Sequence, residues 1–293
     1  MLLEGFLFKE KKMTSKLPYL NLGCGYRYHK DWTNIDFIKT GEDVIPYNLA
    51  AGIPFPNETF EVVYHSHVLE HFTKEGGRKF LSECHRVLNK GGIIRIAIPD
   101  LEQIIKQYIE IISGLKSDPD NLYLQANYDW ILLEMYDQTV RNVSGGNMYE
   151  YIKQPGILNR EFLIQRNGQE VESIMNDVDK EKEQKFLEVK PSFFERYRPL
   201  LNIHSIKQIL LRKISGKDYN RFEIGKFRVS GEVHQWMYDQ YSMGRLLKEI
   251  GLIDIQVQTA TSSKIDNWNS FELDIAYNKV RKPDSLFIEA VKS

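Results

Sequence analysis

The sequence predicts an α/β protein, with a mostly parallel sheet, helices on both faces of the sheet and a largely helical insertion. Between residue 18 and about residue 112, short apolar runs alternate with segments of helical periodicity, which is typical of strands joined by crossover helices. From about 115 to 230 the chain is richer in aromatic and charged residues and less regular. Strand and helix patterns then resume, so we expect the last part of the chain to complete the sheet.

Apolar runs predict four strands in the first part of the chain, at 19–23, 33–37, 60–66 and 92–99. One helical face before the fourth strand is formed by Phe80, Leu81, Cys84, Val87 and Leu88. A second helix, after that strand, is indicated by Leu101, Ile104, Ile105, Tyr108 and Ile112. The glycines of "NKGG" (89–92) predict the end of the first helix and a turn into the next strand.

The end of the chain predicts one more helix and two more strands. The helix has a shared apolar face at Met243, Leu246, Leu247 and Ile250, and the strands are expected at 254–260 and 285–291. The chain is thereby divided into a first part of the core (1–114), a helical insertion or lid (115–230) and a C-terminal completion of the core (231–293). Within the insertion, the charged stretch 176–185 is expected to be solvated.

The composition of the chain argues against several classes of protein. With a net charge of −1 over 293 residues, the chain lacks the basic excess of a sequence-independent nucleic-acid binder. Its two cysteines are too few for a disulfide framework. Residues 1–12 lack the basic start and the long apolar run of a secretory signal and are expected to form a loose or packed tail. No stretch approaches the length of a membrane span, so we expect a soluble, cytoplasmic protein.

Residues 20–37 combine a strand, a glycine turn and an acid. The strand ends in Gly23-Cys24-Gly25, where a ligand can approach backbone amides that no side chain covers. At the tip of the next strand, Asp36 stands where an acid can accept hydrogen bonds from both hydroxyls of a ribose. Taken alone, this pattern fits an ordinary tight turn equally well.

Residues 18–100 resemble the type 11 branch of class I S-adenosylmethionine-dependent methyltransferases. That family's pattern is an acid or amide before "L-P-F-x-x-x-x-F-D", then "LEH", then "E-x-x-R-V-L-K-P-G-G". The matching residues here are Asn48, Pro54, Phe55, Phe60, Glu61, Leu69, Glu70, His71, Glu83, Arg86, Val87, Leu88, Gly91 and Gly92. The resemblance implies a Rossmann-like class I methyltransferase sheet and S-adenosyl-L-methionine as the cofactor.

The same resemblance implies cofactor contacts. The methionine part would face the strand end and turn formed by Asn21, Leu22, Gly23, Cys24 and Gly25. The ribose would bind Asp36, the adenine edge would contact Asn48 and Leu49, and the chain around His65 would line the sulfonium. Two departures stand out: the usual third glycine is absent, with Tyr26 and Arg27 following Gly25, and Asn48 stands where an aspartate is commoner.

Between Gly25 and Asp36 lie ten residues, which leaves room for barely two helical turns at about 1.5 Å rise per residue. We therefore expect the first helix to be short or missing and Trp32 to fill its place. A dinucleotide would lose the helix N-terminus that binds its pyrophosphate. A cofactor without phosphates loses much less, so this spacing favours S-adenosylmethionine over NAD.

The stretch "HSHVLEH" places His65, His67, Glu70 and His71 just past the C-terminal end of a strand, where ligands bind in open α/β sheets. One interpretation is that Glu70 and His71 only cap the following helix. Another is that His71, His67 or the later His234 is a general base for an acceptor hydroxyl.

A third interpretation is a divalent metal. Ubiquinone-pathway and small-RNA terminal O-methyltransferases carry an E-x-x-E-H metal site at this point, and His67, Glu70 and His71 are similar to it, with His234 as a possible fourth ligand. Such a donor set suits zinc, manganese or iron better than magnesium. We expect no metal requirement and keep this set as the alternative.

Two later segments are candidates for acceptor binding. Residues at helical spacing form a polar stripe in 128–152, namely Glu134, Asp137, Gln138 and Arg141, although a solvated face would look similar. Trp236 and Tyr238 follow in 231–242, where they could equally be core aromatics. Directed polar groups with an aromatic platform suit a polyhydroxylated acceptor.

Both segments, with "SHVLEH" and 281–290, are similar to predicted methyltransferases found near polysaccharide-synthesis genes. This resemblance implies O-methylation of a hydroxyl of a sugar or glycan intermediate, with the acceptor as the partner molecule. The alternatives are a small metabolite, quinone or amine as acceptor, or a non-catalytic subunit that keeps only the cofactor-binding fold.

Overall fold

A computed structural model describes residues 17–187, 212–214 and 216–293. The predicted N-terminal tail and the part of the insertion at 188–211 lie outside these residues. Within the described part of the chain, no helix is both long and apolar enough to cross a membrane.

Strands from both ends of the chain form one seven-stranded sheet in the order β3-β2-β1-β4-β5-β9-β6. They are β1 (Tyr19–Leu22), β2 (Thr33–Asp36), β3 (Val44–Pro46), β4 (Phe60–Ser66), β5 (Leu88–Pro99), β6 (Leu252–Gln258) and β9 (Ser285–Lys292). The pairs from β3 to β5 are parallel, and β9 runs antiparallel to both of its neighbours. The predicted Rossmann-like class I methyltransferase sheet is confirmed.

The strand order reverses between β1 and β4, because the chain continues from β1 outward to β2 and β3 and then returns to β4. At such a switch point the loops leave in opposite directions and open a crevice at the C-terminal ends of the strands. The glycine turn after β1 and the histidine cluster after β4 both lie at this edge. The fold thus places the two sequence motifs side by side.

Seven helices, numbered here along the described chain, pack on or beside the sheet: α1 (Lys74–Val87), α2 (Leu101–Ser117), α3 (Leu122–Val140), α4 (Gly146–Ile152), α5 (Arg160–Leu187), α6 (Tyr219–Arg228) and α7 (Gln240–Ile250). The buried face of α1 is Phe80, Leu81, Cys84 and Val87, as the periodicity predicts. In α2 the prediction is partly wrong, because Ile105 is 41% exposed while Ile111 is buried. The buried face of α2 therefore passes through Ile104 and Ile111.

Helices α3 to α5 have a small core of their own, formed by Trp130, Ile152, Leu163, Val171, Met175 and Val178. Helix α5 is interrupted at Gly168, which has φ 71° and ψ −149°. A Cβ on Gly168 would lie 2.3 Å from the carbonyl oxygen of Arg281. The interruption lets α5 pass close to the loop before β9, and both of these elements reach the crevice.

No helix forms within residues 23–32, all of which the structure describes, so the expectation of a short or missing first helix is confirmed. Trp32 is fully buried in a cluster with Tyr64, Trp268 and Phe271. Two of these aromatic residues come from the connection between β6 and β9. Trp32 therefore fills only part of the space, and a segment from the far end of the chain covers the rest.

That connection also carries a short hairpin, β7 (Ile275–Ala276) and β8 (Lys279–Val280). Tyr277 and Asn278 at its tip both have positive φ, 51° and 60°, the backbone of a two-residue hairpin turn that follows the twist of the strands. After the hairpin the chain crosses the crevice edge to enter β9.

Candidate active site

Two adjoining cavities open at the C-terminal edge of the sheet. The first, of about 430 Å³, lies over the ends of β1 and β4; the second, of about 310 Å³, lies between this edge and helices α3 to α5. Both volumes are in the range of small-ligand sites. The residues common to both walls are His67, Glu170, Ile174 and Lys282. A group bound in one cavity can therefore meet a group bound in the other.

The glycine turn forms the floor of the first cavity. Gly23 has φ 63°, and a Cβ there would lie 2.3 Å from a methyl carbon of Val68. Gly25 has φ 53°, and a Cβ there would meet no atom within 4 Å, because it would point into open space. The two glycines thus serve different purposes: Gly23 allows close packing against Val68, and Gly25 keeps the surface of the turn free of a side chain.

Replacing Gly25 by alanine should weaken cofactor binding about tenfold or more, or ~1.4 kcal/mol, because the new methyl group occupies the ligand's approach. Because alanine is strained in the left-handed region, we also expect the free energy of unfolding to fall by about 1–2 kcal/mol. Isothermal titration with S-adenosylhomocysteine measures the affinity. Gly91→Ala is the matched control: Gly91 also has positive φ and open space around it, but it lies at the opposite end of the sheet. Equal affinities in the two variants would contradict this placement of the ligand.

Asp36 lies at the tip of β2, beside the turn. Its carboxylate accepts hydrogen bonds from the amides of Gly25 (2.7 Å) and Ile38 (3.1 Å). Phe37 and Ile38, which follow it, are 68% and 66% exposed. They form an apolar surface next to the carboxylate, and this surface was not predicted from the sequence. An aromatic residue directly after the acid was the signal that could have indicated it.

Asn48 and Leu49 lie beyond β3, outside the walls of both cavities. The Asn48 side-chain oxygen accepts a hydrogen bond from the amide of Ala50 (3.0 Å) and so caps the 3₁₀ turn Leu49–Ala51. Leu49 is partly buried against the main core. The adenine contacts stay a prediction, because the two residues lie outside both cavities and the side-chain oxygen of Asn48 is already engaged locally.

The side chains of Leu22 and His65, both predicted near the cofactor, do not line the first cavity. The two residues pair across β1 and β4, and both are fully buried. The His65 ring packs against Phe80 of α1 at 5.1 Å, and burial lowers the pKa of this histidine to about 4. Side chains alternate along a strand, so it is Asn21 and Tyr64 of the neighbouring positions that line the first cavity.

His67 stands at the junction of the two cavities. It has positive φ (54°), so the chain turns sharply where β4 ends. Its Nδ1 lies 3.2 Å from Oε1 of Glu70, and its Nε2 lies 2.8 Å from the hydroxyl of Ser285. A buried carboxylate on one ring nitrogen fixes the orientation and tautomer of an imidazole. Of the predicted bases, His67 is the one that reaches both cavities.

Glu70, His71 and His234 lie behind His67. The backbone carbonyl of Glu70 accepts hydrogen bonds from the amides of Gln235 (2.7 Å) and Trp236 (3.3 Å), which brings His234 onto His71 with ring centroids 4.8 Å apart. The interpretation of Glu70 and His71 as helix caps is wrong, because Thr73 caps α1 by accepting from the amide of Gly76.

The buried groups of this cluster all have lowered pKa values. Burial lowers the pKa of His71, and it lowers the pKa of His234 to about 3. Burial by itself would raise the pKa of Glu70, but the hydrogen bond from His67 and the positive charge of the neighbouring imidazoles in their protonated form outweigh it and lower that pKa overall.

The second cavity has polar walls. Gln138 of α3 and Arg141, directly after this helix, line it. Glu170 of α5 and Lys282 and Asp284 of the loop before β9 complete this wall. Glu170 and Lys282 form an ion pair of 2.8 Å. Burial alone would raise the pKa of Glu170, yet Lys282 and nearby cations lower it overall.

The other members of the predicted acceptor stripe do not line this cavity. Glu134 accepts from the indole of Trp130 (2.7 Å) and from Arg166 (3.0 Å), and burial raises its pKa to about 7. Asp137 accepts from the amides at the start of α4, those of Asn147 (2.8 Å) and Met148 (3.3 Å). Both carboxylates hold the helices of the insertion together, since they point inward from α3.

The two predicted aromatic residues are also placed elsewhere. Trp236 is 40% exposed and packs under the Lys74 ammonium, while Tyr238 is buried in the main core. The aromatic side chain that lines the second cavity without being fully buried is Tyr149 of α4. Sequence reasoning missed it because α4 is only seven residues long.

The sequence analysis also missed Glu170, Lys282 and Ser285. One signal pointed to the first of them: the isolated Asn167-Gly168 pair inside a helical pattern, which indicates an interruption at a close backbone approach. The other two follow the hairpin at the end of the chain, where the local pattern shows only a turn and a strand.

Comparison with known proteins gives one family match. Residues 20–96 match the profile of a family described as a methyltransferase domain, of type 11. This segment contains the glycine turn, Asp36 and the cluster from His65 to His71. No curated protein matches the chain.

Solved structures similar to this chain include several methyltransferases. A SAM-dependent methyltransferase from Archaeoglobus fulgidus is 11% identical, with 94% of this chain and 85% of that chain covered and a TM-score of 0.36. A possible histamine N-methyltransferase from Thermotoga maritima has the same identity and TM-score, over 94% and 82% of the two chains. Phosphoethanolamine N-methyltransferase 2 from Haemonchus contortus, in complex with S-adenosyl-L-methionine, is 10% identical over 96% and 49%, with a TM-score of 0.34.

Proposed function

We propose that this chain, an S-adenosylmethionine-dependent methyltransferase, methylates a hydroxyl group of a sugar or glycan intermediate. One observation carries the proposal: a cavity floored by the glycine turn and a polar cavity under the helical insertion share the wall that holds His67. The methyl donor belongs in the first cavity and the acceptor in the second.

The residues in and beside the first cavity fit the cofactor. Gly25 places no side chain over the turn. Outside the cavity wall but next to Gly25, Asp36 offers a carboxylate that already accepts from the amides of Gly25 and Ile38, and Phe37 offers an exposed ring on which a flat base can stack. S-adenosylmethionine supplies a methyl group on a sulfonium, an activated leaving group. What remains for the protein is to position the acceptor in line and to remove its proton.

His67 is placed to remove that proton. Nε2 is hydrogen-bonded to the Ser285 hydroxyl at 2.8 Å, so an acceptor hydroxyl must displace this bond to give its proton to Nε2. Glu70, at 3.2 Å from Nδ1, stabilises the imidazolium that forms and keeps Nε2 free of its own proton beforehand. The base thus lies where both cavities meet, within reach of a hydroxyl directed at the methyl group.

The second cavity favours a polyhydroxylated acceptor. Gln138, Arg141 and Asn167 offer hydrogen-bond donors, Asp284 offers acceptors, and Tyr149 offers an aromatic face. Several directed hydrogen bonds and a stacking surface are what a sugar ring requires. A quinone needs a mainly apolar wall, and the mixed polar lining argues against it.

Transfer of labelled methyl from the cofactor into nucleotide sugars, oligosaccharides, quinones and amines, assayed side by side, tests the acceptor class. We expect label in a sugar hydroxyl and a loss of that labelling in Gln138→Ala. Transfer only to a quinone or an amine would replace the sugar by that acceptor. Cofactor binding with no transfer to any class would favour a non-catalytic subunit.

Replacing Asp36 by alanine should weaken cofactor affinity by about 1.5–3 kcal/mol, the contribution of hydrogen bonds to a charged group, which corresponds to roughly 10- to 150-fold in Kd. Calorimetry with S-adenosylhomocysteine measures the change. Asp31→Ala, which removes an exposed carboxylate near the start of the same strand, is expected to bind as the wild type does. An unchanged Kd for Asp36→Ala would mean that the ribose lies elsewhere.

A further inference from the structure

The cluster behind His67 has the composition of a metal site. One ligand atom each from Glu70, His71 and His234 can be chosen so that all three lie within 4.8 Å of one another. Glu70 is 1% and His234 7% exposed. The three residues come from two segments of the chain that the backbone bonds of Glu70 hold together.

The polar atoms of this cluster are poorly satisfied within the described part of the chain. Apart from the contact between Glu70 Oε1 and His67 Nδ1, the Glu70 carboxylate has no hydrogen-bond partner there, and neither does Nδ1 of His71. Buried polar groups are ordinarily paired, and a buried carboxylate without compensation is costly. A cation coordinated by the Glu70 oxygens and the imidazole nitrogens would neutralise this carboxylate and satisfy these atoms.

We propose that Glu70, His71 and His234 bind a divalent transition-metal ion of the zinc class. Two imidazoles and one carboxylate are a donor set that zinc uses, with metal–ligand distances of about 2.0–2.2 Å and a fourth position left for water. Ligand atoms at these distances lie about 3.4 Å apart in a tetrahedral arrangement. The three ligand atoms here lie within 4.8 Å of one another, so they would move roughly 1 Å closer together to bind the ion. Magnesium and calcium prefer all-oxygen sites and do not suit it.

His67 is not a ligand in this arrangement, which differs from the set that the sequence suggested. Its Nδ1 is directed at Glu70 and its Nε2 at Ser285. It therefore contacts a ligand instead of the ion, in the role that outer partners have at metal sites. Glu70, His71 and His234 are absent from the walls of both cavities, so the ion would hold the turn of Glu70 to the segment of His234 and would not touch the acceptor.

The proposed metal site does not depend on the acceptor class, and it is tested by measuring the metal bound to the protein. Protein purified without chelator should contain about one zinc-class ion per chain by elemental mass spectrometry, and His234→Gln should retain less than about a tenth of it. His85→Gln, a histidine of α1 outside the cluster, is the control and should keep the full content. Cobalt(II) added to metal-free protein should give visible absorption in the wild type and not in His234→Gln.

Wild-type protein that carries no transition metal and gives no cobalt spectrum overturns the proposal, and so does a His234→Gln variant with full metal content. If His234→Gln does not fold, Glu70→Gln and the cobalt titration of the wild type decide in its place. Magnesium or calcium as the bound ion counts against it. Full metal content without methyl transfer to any acceptor would count against the proposed function alone.

Discussion

Replacing His67 by glutamine should lower kcat about 10²- to 10⁴-fold, the usual contribution of a general base, while the Kd of the cofactor changes little. Glutamine has a similar size and can keep the hydrogen bond to Ser285, but it cannot take up a proton. The expected split follows from where His67 lies: it stands in the wall shared by both cavities, whereas the proposed cofactor contacts at the glycine turn and Asp36 do not include its ring.

Single-turnover rates with labelled cofactor, together with calorimetry for cofactor affinity, separate the two effects. His85→Gln provides the control, since it removes an imidazole of α1 far from the cavities. Equal losses in affinity and rate would assign His67 a structural role. A rate close to that of the wild type would move the base to another residue.

Replacing Arg95 by methionine should lower the free energy of unfolding by about 3–5 kcal/mol, the cost of removing one partner from a buried ion pair. Arg95 is fully buried in β5 and lies 2.8 Å from Asp274 and 2.7 Å from Glu289, which are also buried. It donates two further hydrogen bonds to the carbonyls of Thr259 and Ser262. Methionine would leave two carboxylates in the interior without their cation.

Urea denaturation measures the change, with Arg78→Met as the matched control. Arg78 pairs with Glu249 at 2.5 Å, but both side chains are about half exposed, and such pairs contribute about 0–1 kcal/mol. A decrease of less than about 1 kcal/mol in the free energy of unfolding of Arg95→Met would contradict a stabilising role for the ion pairs of Arg95 with Asp274 and Glu289. Arg95 anchors the connection between β6 and β9, which also carries Arg281 and Lys282 to the first cavity. We therefore expect the Arg95→Met variant to lose cofactor binding at a lower urea concentration than the one at which the whole protein unfolds.

The strands and the sheet could be predicted because their signals are local. The apolar runs of β4, β5 and β9 are buried on both faces, as in a covered sheet, and the run of α1 repeats at helical spacing. That the first helix is short or missing could be predicted from chain length alone, since ten residues between Gly25 and Asp36 leave room for barely two turns.

Residues of the site were harder to assign. His65 and His67 are equally suggestive as sequence, yet strand alternation turns the first into the core and the end of β4 turns the second into the cavities. In the acceptor stripe, Glu134 and Gln138 are one helical turn apart. Only the packing of α3 against α4 and α5 shows that Glu134 binds Trp130 and Arg166 while Gln138 lines a wall.

By itself, the sequence determined the sheet, its glycine turn with Asp36, and the concentration of imidazoles after β4, because each depends on neighbouring residues and on backbone geometry. The tertiary structure alone decided which of these side chains meet. His234 reaches His71, Lys282 reaches Glu170, and the segment after β6 covers the face that the absent helix leaves open. These contacts join residues 100 or more positions apart, so no local periodicity predicts them. They form only when distant segments of the chain pack against one another.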